Sequence, residues 1–210
     1  MFDRLYIVHL PNKARRAAMD AQLAQLGLEA AYVHAKPATV GFNNFRRNPR
    51  AEFGCGTSHA KCVLRALADG AERPLIIEDD VVFLPGALER LARAAQELPE
   101  DWDIVYLGGH PRADVTRHSA SLVKVGPFSF AEAYILARKA LRPLLDYWFD
   151  RLGQPEAMYD FVLGEFAAAN RGFCVHPTIT EQAVGPSQIG GPKDNKAPLV
   201  ARAWAKHLAA

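Results

Sequence analysis

The sequence predicts an α/β domain with a mainly parallel sheet covered by helices, and three observations carry that prediction. The chain opens as strand, amphipathic helix, strand, a β-α-β unit whose crossover favours parallel pairing. The run Pro74 to Leu84 has the continuous β-branched and aromatic character of a strand buried on both faces. Helical stripes then alternate with short apolar runs along the rest of the chain.

Leu5 to Leu10 reads as the first strand, Pro11-Asn12 as a turn, and Lys13 to Leu26 as a helix. Met19, Leu23 and Leu26 fall at i, i+4 and i+7 on one stripe, and Gly27 is the C-terminal stop. Ala30 to His34 is the second strand. Lys36 to Phe53 carries Pro37, Gly41, Asn43, Asn44, Asn48 and Pro49 with little periodicity and reads as a long loop, of a length that is often functional. A helix is expected to start within Gly54 to Ser58, capped by Thr57 or Ser58, and to end at Gly70. Its glycine-rich entry lacks the third glycine and the preceding strand of a dinucleotide fingerprint.

Within Pro74 to Leu84, the carboxylates Glu78, Asp79 and Asp80 interrupt the apolar run, with no Lys or Arg among them. Unpaired carboxylates withdrawn from water cost several kcal/mol each, so the run asks for a partner, and a divalent cation answers that need. If the strand stays extended, Glu78 and Asp80 share one face roughly 6.6 Å apart, with Asp79 on the other. Such a pair suits a hard, oxygen-liking ion with positions left for phosphate oxygens. The alternative is a strand that ends at Glu78, with solvated turn acids behind it.

Further along, Pro85 suits the first turn of a helix that buries Leu88, Leu91, Ala95 and Leu98. Asp103 to Leu107 is a strand ended by Gly108-Gly109, and His110 to Ser121 is polar and irregular, as a mobile flap would be. Leu122 to Val125 and Phe130 to Leu136 read as strands. Arg138 to Phe149 reads as a helix on Leu141, Leu144, Leu145 and Trp148, with Pro143 in its first turns. Met158 to Ala168 is a helix carrying Asp160 and Glu165, and Phe173 to His176 a last strand. Gln182 to Asn195 is rich in Gly, Pro, Ser and Asp, as a lid or tether is. Residues 1–190 are expected to form the domain and 191–210 a helical tail. Val200, Trp204 and Leu208 lie on one stripe of that tail, which either packs on the core or, beside Arg202 and Lys206, makes peripheral membrane contact.

Half of the 210 residues are hydrophobic and 23% are charged, which is ordinary for one globular domain. A net charge of +2 gives no bulk attraction for nucleic acid. Local clusters, Lys13, Arg15, Arg16 and Arg46, Arg47, Arg50, either meet a phosphorylated substrate or form solvated faces. Cys55, Cys62 and Cys174 form no CxxC pair and are odd in number, which indicates neither a zinc site nor a disulfide framework. The first ten residues lack a signal-peptide pattern and no window reaches 18 apolar residues, so a reducing cytoplasm is expected.

Four motifs share an order and spacing with a known family. Tyr6-Ile-Val-His-Leu with Arg15-Arg16, Gly54-Cys55 with Ser58-His59, Ile77-Glu-Asp-Asp-Val, and Ala133-Tyr134 before Arg138-Lys139-Ala140 resemble glycosyltransferase family 25. That family includes bacterial lipooligosaccharide galactosyltransferases and collagen galactosyltransferases. The resemblance covers roughly residues 4 to 190, and Asp160, Gln182, Ser187 and Ile189 fit the weaker C-terminal part of its pattern. It implies a GT-A fold, with a mixed sheet and a Rossmann-like nucleotide-binding core. It also implies a UDP-hexose donor, usually UDP-galactose, a divalent metal, usually Mn2+ (or Mg2+), and inversion at the anomeric carbon. A glycan or lipid-linked saccharide acceptor in lipooligosaccharide or cell-surface glycan synthesis, at the inner face of the membrane, goes with that class. The chain departs from the pattern at His9, where Asn is common, and it is short for the family.

On this resemblance Asp80 holds the metal, Glu78 or Asp79 assists on metal or ribose, and His176 is a further metal ligand or a structural strand-end residue. Arg15 or Arg16 adds a cationic contact to the diphosphate. His9, Gly54, Ser58, His59, Gln182 and Ser187 complete the donor-binding set, with a structural role equally open for His59. Asp160 is favoured over Glu165 as the base for the acceptor hydroxyl, against a plain helix-start acid. Two other classes use the same acidic strand: a metal-dependent phosphohydrolase or nucleotidyltransferase, which the missing DxDxT and GxSxG patterns weaken, and a non-catalytic sugar-nucleotide or glycan-binding module.

Overall fold

The computed structural model describes residues 1–36, 49–152, 154, 158–187 and 191–208. Its centre is an eight-stranded sheet in the order β2-β1-β3-β10-β5-β11-β8-β7. The strands are β1 (Arg4–His9), β2 (Ala31–His34), β3 (Pro74–Glu78), β5 (Ile104–Tyr106), β7 (Thr116–Arg117), β8 (Leu122–Lys124), β10 (Ala133–Leu136) and β11 (Gly172–Val175). Only β10 and β8 run against the others, so the sheet is mixed and mainly parallel. β4 (Val81–Phe83) leaves this sheet and pairs with β12 (Thr180–Gln182). β6 (His110–Pro111) pairs with β9 (Phe128–Ser129), and β13 (Gly185–Ser187) with β14 (Gly191–Asp194).

Alternation along the strands sorts the core into two layers. Tyr6, Val8, Ile76, Tyr106 and Tyr134 face α2 (Pro49–Ala68), α4 (Arg138–Arg151) and α5 (Tyr159–Ala169). Leu5, Ile7, Leu75, Ile77 and Ile135 face α1 (Lys13–Leu26) and α3 (Ala87–Glu97). Helix α1 has the expected bounds: the Asn12 side chain caps Ala14 N and Arg15 N, and Gly27 closes it at φ 64°. Two glycines answer to close packing. A Cβ on Gly56 would lie 2.8 Å from the Trp148 ring, and one on Gly164 would lie 1.9 Å from the Phe128 carbonyl oxygen.

Several expectations are corrected. Helix α2 begins at Pro49, ahead of the Gly54–Ser58 start read from the sequence, because proline suits the first helical position. Residues 37–48 of the expected loop lie outside the described residues. The buried face of α3 is Ala87, Leu91 and Ala94, and Gly86 precedes the helix at φ 70°. The stretch His110–Ser121 is tied down: Glu97 accepts from Ser121 N and Oγ, both at 2.8 Å, and β7 pairs with β8 at the sheet edge. Gln182 to Asn195 forms β13 and β14 around residues 188–190, which lie outside the described residues together with Ile189. The tail becomes α6 (Ala197–His207), and its stripe packs on the core: Trp204 is 8% exposed and donates Nε1 to the Gly109 carbonyl at 3.1 Å. Of the two uses read for that stripe, packing on the core is the one observed.

Candidate active site

Parallel pairing of β1 and β3 puts Val8 opposite Glu78, so the C-terminal ends of two central strands meet where ligands bind in open α/β sheets. The strand ends at Glu78 and the chain turns at Asp79-Asp80, which corrects the expectation of one extended strand with Glu78 and Asp80 on one face. These turn acids are not solvated. Asp79 is 6% exposed, and its Oδ2 accepts from His9 Nδ1 at 2.9 Å and from Leu10 N at 3.1 Å. Its Oδ1 accepts from Arg15 Nη1 at 2.8 Å. Asp79 and His9 thus lock the β1–α1 corner, with both Asp79 oxygens bonded to neighbours in β1 and α1.

Arg15 Nη1 also reaches Asp80 Oδ2, at 3.3 Å. Among the described residues Asp80 Oδ1 is buried without a hydrogen-bond partner, while the Asp80 carbonyl accepts from Ala183 N at 2.8 Å. Burial, and then the charge of Glu78, push the Asp80 carboxyl up to about 7, against the pull of Arg15. Glu78 accepts from Gln182 Nε2 on Oε2 at 3.0 Å and pairs through Oε1 with His59 Nε2 at 3.3 Å. Burial opposes its charge, but the His59 hydrogen bond and field outweigh burial and hold Glu78 below its ordinary range.

Asp160, in the first turn of α5, accepts from Phe161 N at 3.0 Å and from Phe130 N at 3.5 Å. Burial raises its pKa, and the charge of Glu78 adds to that, which places the two carboxylates in one electrostatic neighbourhood. Phe130 holds φ at 69°, a rare conformation for a non-glycine residue and one that clusters at functional sites.

Two participants escaped the sequence reading. Glu132 is 3% exposed beside the cluster, its carbonyl accepts from Glu78 N at 2.9 Å, and burial, then Glu78, push its carboxyl to about 8. A lone acid inside the apolar run Ala131 to Leu136 was the available signal. Lys196 donates to Gln182 Oε1 at 2.5 Å, lies over the Phe130 ring at 4.8 Å, and opposes the negative charge of Glu78, Asp80 and Asp160. Nothing in its local sequence marks it.

Other expected residues stand elsewhere. Arg16 bonds Asp20 and lies 3.4 Å from the Tyr32 ring centroid, so its guanidinium is turned from the acidic turn. Ser58 is fully buried and donates to the Gly54 carbonyl at 2.6 Å within α2. Glu165 pairs with Arg151 at 2.6 Å on the α4–α5 surface. His176 stacks on Trp204 at 4.7 Å, and burial, then Arg117 and Arg90, lower its pKa. Ser187 falls in β13 opposite Gly191, and Arg46 and Arg47 lie outside the described residues.

A cavity of about 330 Å³ opens between the start of α1 and the acidic turn, lined by Asn12, Arg15, Asp79, Asp80, Val82 and Val184 among others. Its size fits part of a nucleotide sugar. Asp80 Oδ1 and the Glu78 carboxylate are hard oxygen donors of the kind that Mn2+ and Mg2+ take.

No protein-family model matches the chain. It is 28% identical over 119 residues to a procollagen lysyl hydroxylase and glycosyltransferase of Acanthamoeba polyphaga mimivirus, which covers 52% of this chain and 13% of that protein. Inactive glycosyltransferase 25 family member 3 of Homo sapiens is 26% identical over 170 residues, 69% of this chain and 29% of that protein. Procollagen galactosyltransferase 1 of Danio rerio is 27% identical over 121 residues, 53% of this chain and 18% of that protein. The chain is glycosyltransferase family 25-like. It spans less than a third of the length of these relatives. The family 25-like chain also superposes on a glycosyltransferase involved in glycosylation of the major capsid of PBCV-1. The TM-score is 0.52 at 10% identity, with 98% of this chain and 90% of that one covered. Its fold is GT-A-like, and within that fold four of the motif residues, His59, Glu78, Asp80 and Gln182, come together at the acidic turn.

Proposed function

We propose that this chain is a glycosyltransferase that moves galactose from UDP-galactose to a hydroxyl of a saccharide acceptor, with inversion. The observation that carries this reading is the buried Asp80 Oδ1, without a hydrogen-bond partner among the described residues, beside a cavity that also presents Arg15. Glu78 and Asp80 would hold Mn2+ or Mg2+, which when bound neutralises charge on the departing diphosphate as a Lewis acid. Arg15 adds a fixed guanidinium beside the same phosphates, and Lys196 supplies a second cation near the cluster. Asp160, whose carboxyl burial pushes above its ordinary range, takes the acceptor hydroxyl's proton on its carboxylate. A single base and no second carboxylate nucleophile in this scheme correspond to direct, inverting displacement. Lipid-linked or cell-surface saccharides at a cytoplasmic membrane face are the acceptor class that the resemblance supports.

A second reading is a sugar-nucleotide-binding module without turnover, since the human relative is named inactive. Incubating the chain with a panel of nucleotide sugars, Mn2+ and candidate saccharides, and measuring free UDP, separates the two. Transfer should be lost by at least about 100-fold in Asp80→Ala, given several kcal/mol of metal-derived charge stabilisation. Full activity in that variant without metal would remove the basis of the reading, and tight UDP-sugar binding with no UDP release would favour the module.

A further inference from the structure

The proposed chemistry uses oxygens of Glu78 and leaves a sulfur and a nitrogen beside it without a role. Cys55 and His59 stand four residues apart on α2, hence on one face, and that face meets the end of β3. Cys55 Sγ lies 3.9 Å and His59 Nε2 3.3 Å from Glu78 Oε1, and the three atoms lie within 4.8 Å of one another. Bonds of about 2.3 Å to sulfur and about 2.0 Å to nitrogen or oxygen put the ligand atoms of tetrahedral zinc roughly 3.3–3.5 Å apart. The nitrogen–oxygen pair stands at that spacing and the thiol slightly outside it.

A second observation points the same way. His59 Nδ1 pairs with the Tyr134 hydroxyl at 3.0 Å, which in turn pairs with the Tyr159 hydroxyl at 3.1 Å, and the imidazole stacks on Tyr159 at 4.7 Å between centroids. The ring is fixed with Nε2 aimed at Glu78, the outer hydrogen bond that orients metal-binding histidines. Gln182 fixes the other Glu78 oxygen. His59 is fully buried, while the partly exposed Cys55 and Glu78 provide the way in.

We infer that Cys55, His59 and Glu78 form a site for a divalent cation of the zinc class, distinct from the oxygen pair Glu78–Asp80 and sharing Glu78 with it. Thiolate and imidazole favour such borderline ions over manganese or magnesium. The thiol proton passes to solvent as the sulfur–metal bond forms. Because both sites need Glu78, zinc competes with the activating ion; that consequence rests on the transferase reading, and the binding itself does not.

Cobalt(II) is the probe, added to the whole chain without nucleotide sugar. A near-ultraviolet thiolate-to-cobalt band should saturate at one equivalent, be displaced by one equivalent of zinc, and vanish in Cys55→Ser, with circular dichroism confirming that this variant folds. Zinc should also protect Cys55 of the unmodified protein from iodoacetamide, mapped by mass spectrometry, which covers the case in which the variant does not fold. Absence of the band, its persistence in folded Cys55→Ser, or equal alkylation with and without zinc overturns the site. A chain that binds cobalt through Cys55 and releases no UDP refutes the transferase reading and leaves this site standing.

Discussion

Gln182 Nε2 donates to Glu78 Oε2 at 3.0 Å, although 104 positions separate the two residues in the chain. The bond joins the C-terminal β12 strand to the acidic turn, and Lys196 holds the other end of the Gln182 amide. Gln182 is thus an orienting partner for the carboxylate proposed to hold the metal. Such partners are worth about 10- to 100-fold in metal affinity, so Gln182→Ala should weaken Mn2+ binding about 10-fold, read by isothermal titration calorimetry. Unchanged affinity would show that Glu78 needs no support from β12.

Among the described residues, removing Arg15 leaves Asp79 buried with His9 and Leu10 N as its hydrogen-bond donors, and takes from Asp80 its ion-pair partner. Breaking a buried pair from one side costs about 3 kcal/mol. Arg15→Ala should therefore melt earlier and need more UDP-sugar for half-saturation. Arg15→Lys should recover little, because one ammonium does not reproduce the planar fork.

Asp160→Asn keeps the size of the side chain and its hydrogen bonds from Phe130 and Phe161 within reach, but removes the proton acceptor. Turnover should fall about 10²- to 10⁴-fold with the melting temperature little changed. Loss of folding together with activity would mark Asp160 as a helix-start acid.

The acids also predict how stability depends on pH. Folded Asp80 and Glu132 hold protons up to about 7 and about 8, whereas the unfolded chain releases them near the ordinary carboxylate range. Between those limits the folded state binds more protons, so stability falls as pH rises from about 5 to about 8. Glu132→Gln should remove part of that slope, raising stability at pH 8 by roughly 2 kcal/mol, or about 4–8 °C in melting temperature without metal. A melting temperature that rises with pH over this range would contradict the raised values.

Much of the fold was legible because its signals are local. The stripe of Met19, Leu23 and Leu26, the stop at Gly27, and the buried set Leu141, Leu144, Leu145 and Trp148 need only period 3.6 and a glycine free to adopt positive φ. The start of α2 was misplaced because glycines at 54 and 56 read as a helix entry, whereas Gly56 is there to admit Trp148. The acidic run was visible, yet alternation misassigned it, since Asp79 turns to meet His9 and Arg15 and ends the strand.

By itself, then, the sequence determined the α/β class, the cluster at Glu78 to Asp80, and the family 25 likeness, all written in residues close together in the chain. Only the tertiary structure decided the division of labour: Asp79 tied inward, Asp80 left with one oxygen unbonded among the described residues, Glu78 held by His59 and Gln182, and Glu132 and Lys196 brought alongside. Charges act over a few ångströms whatever their separation along the chain, and it is the packing of strands and helices that sets which of them are neighbours.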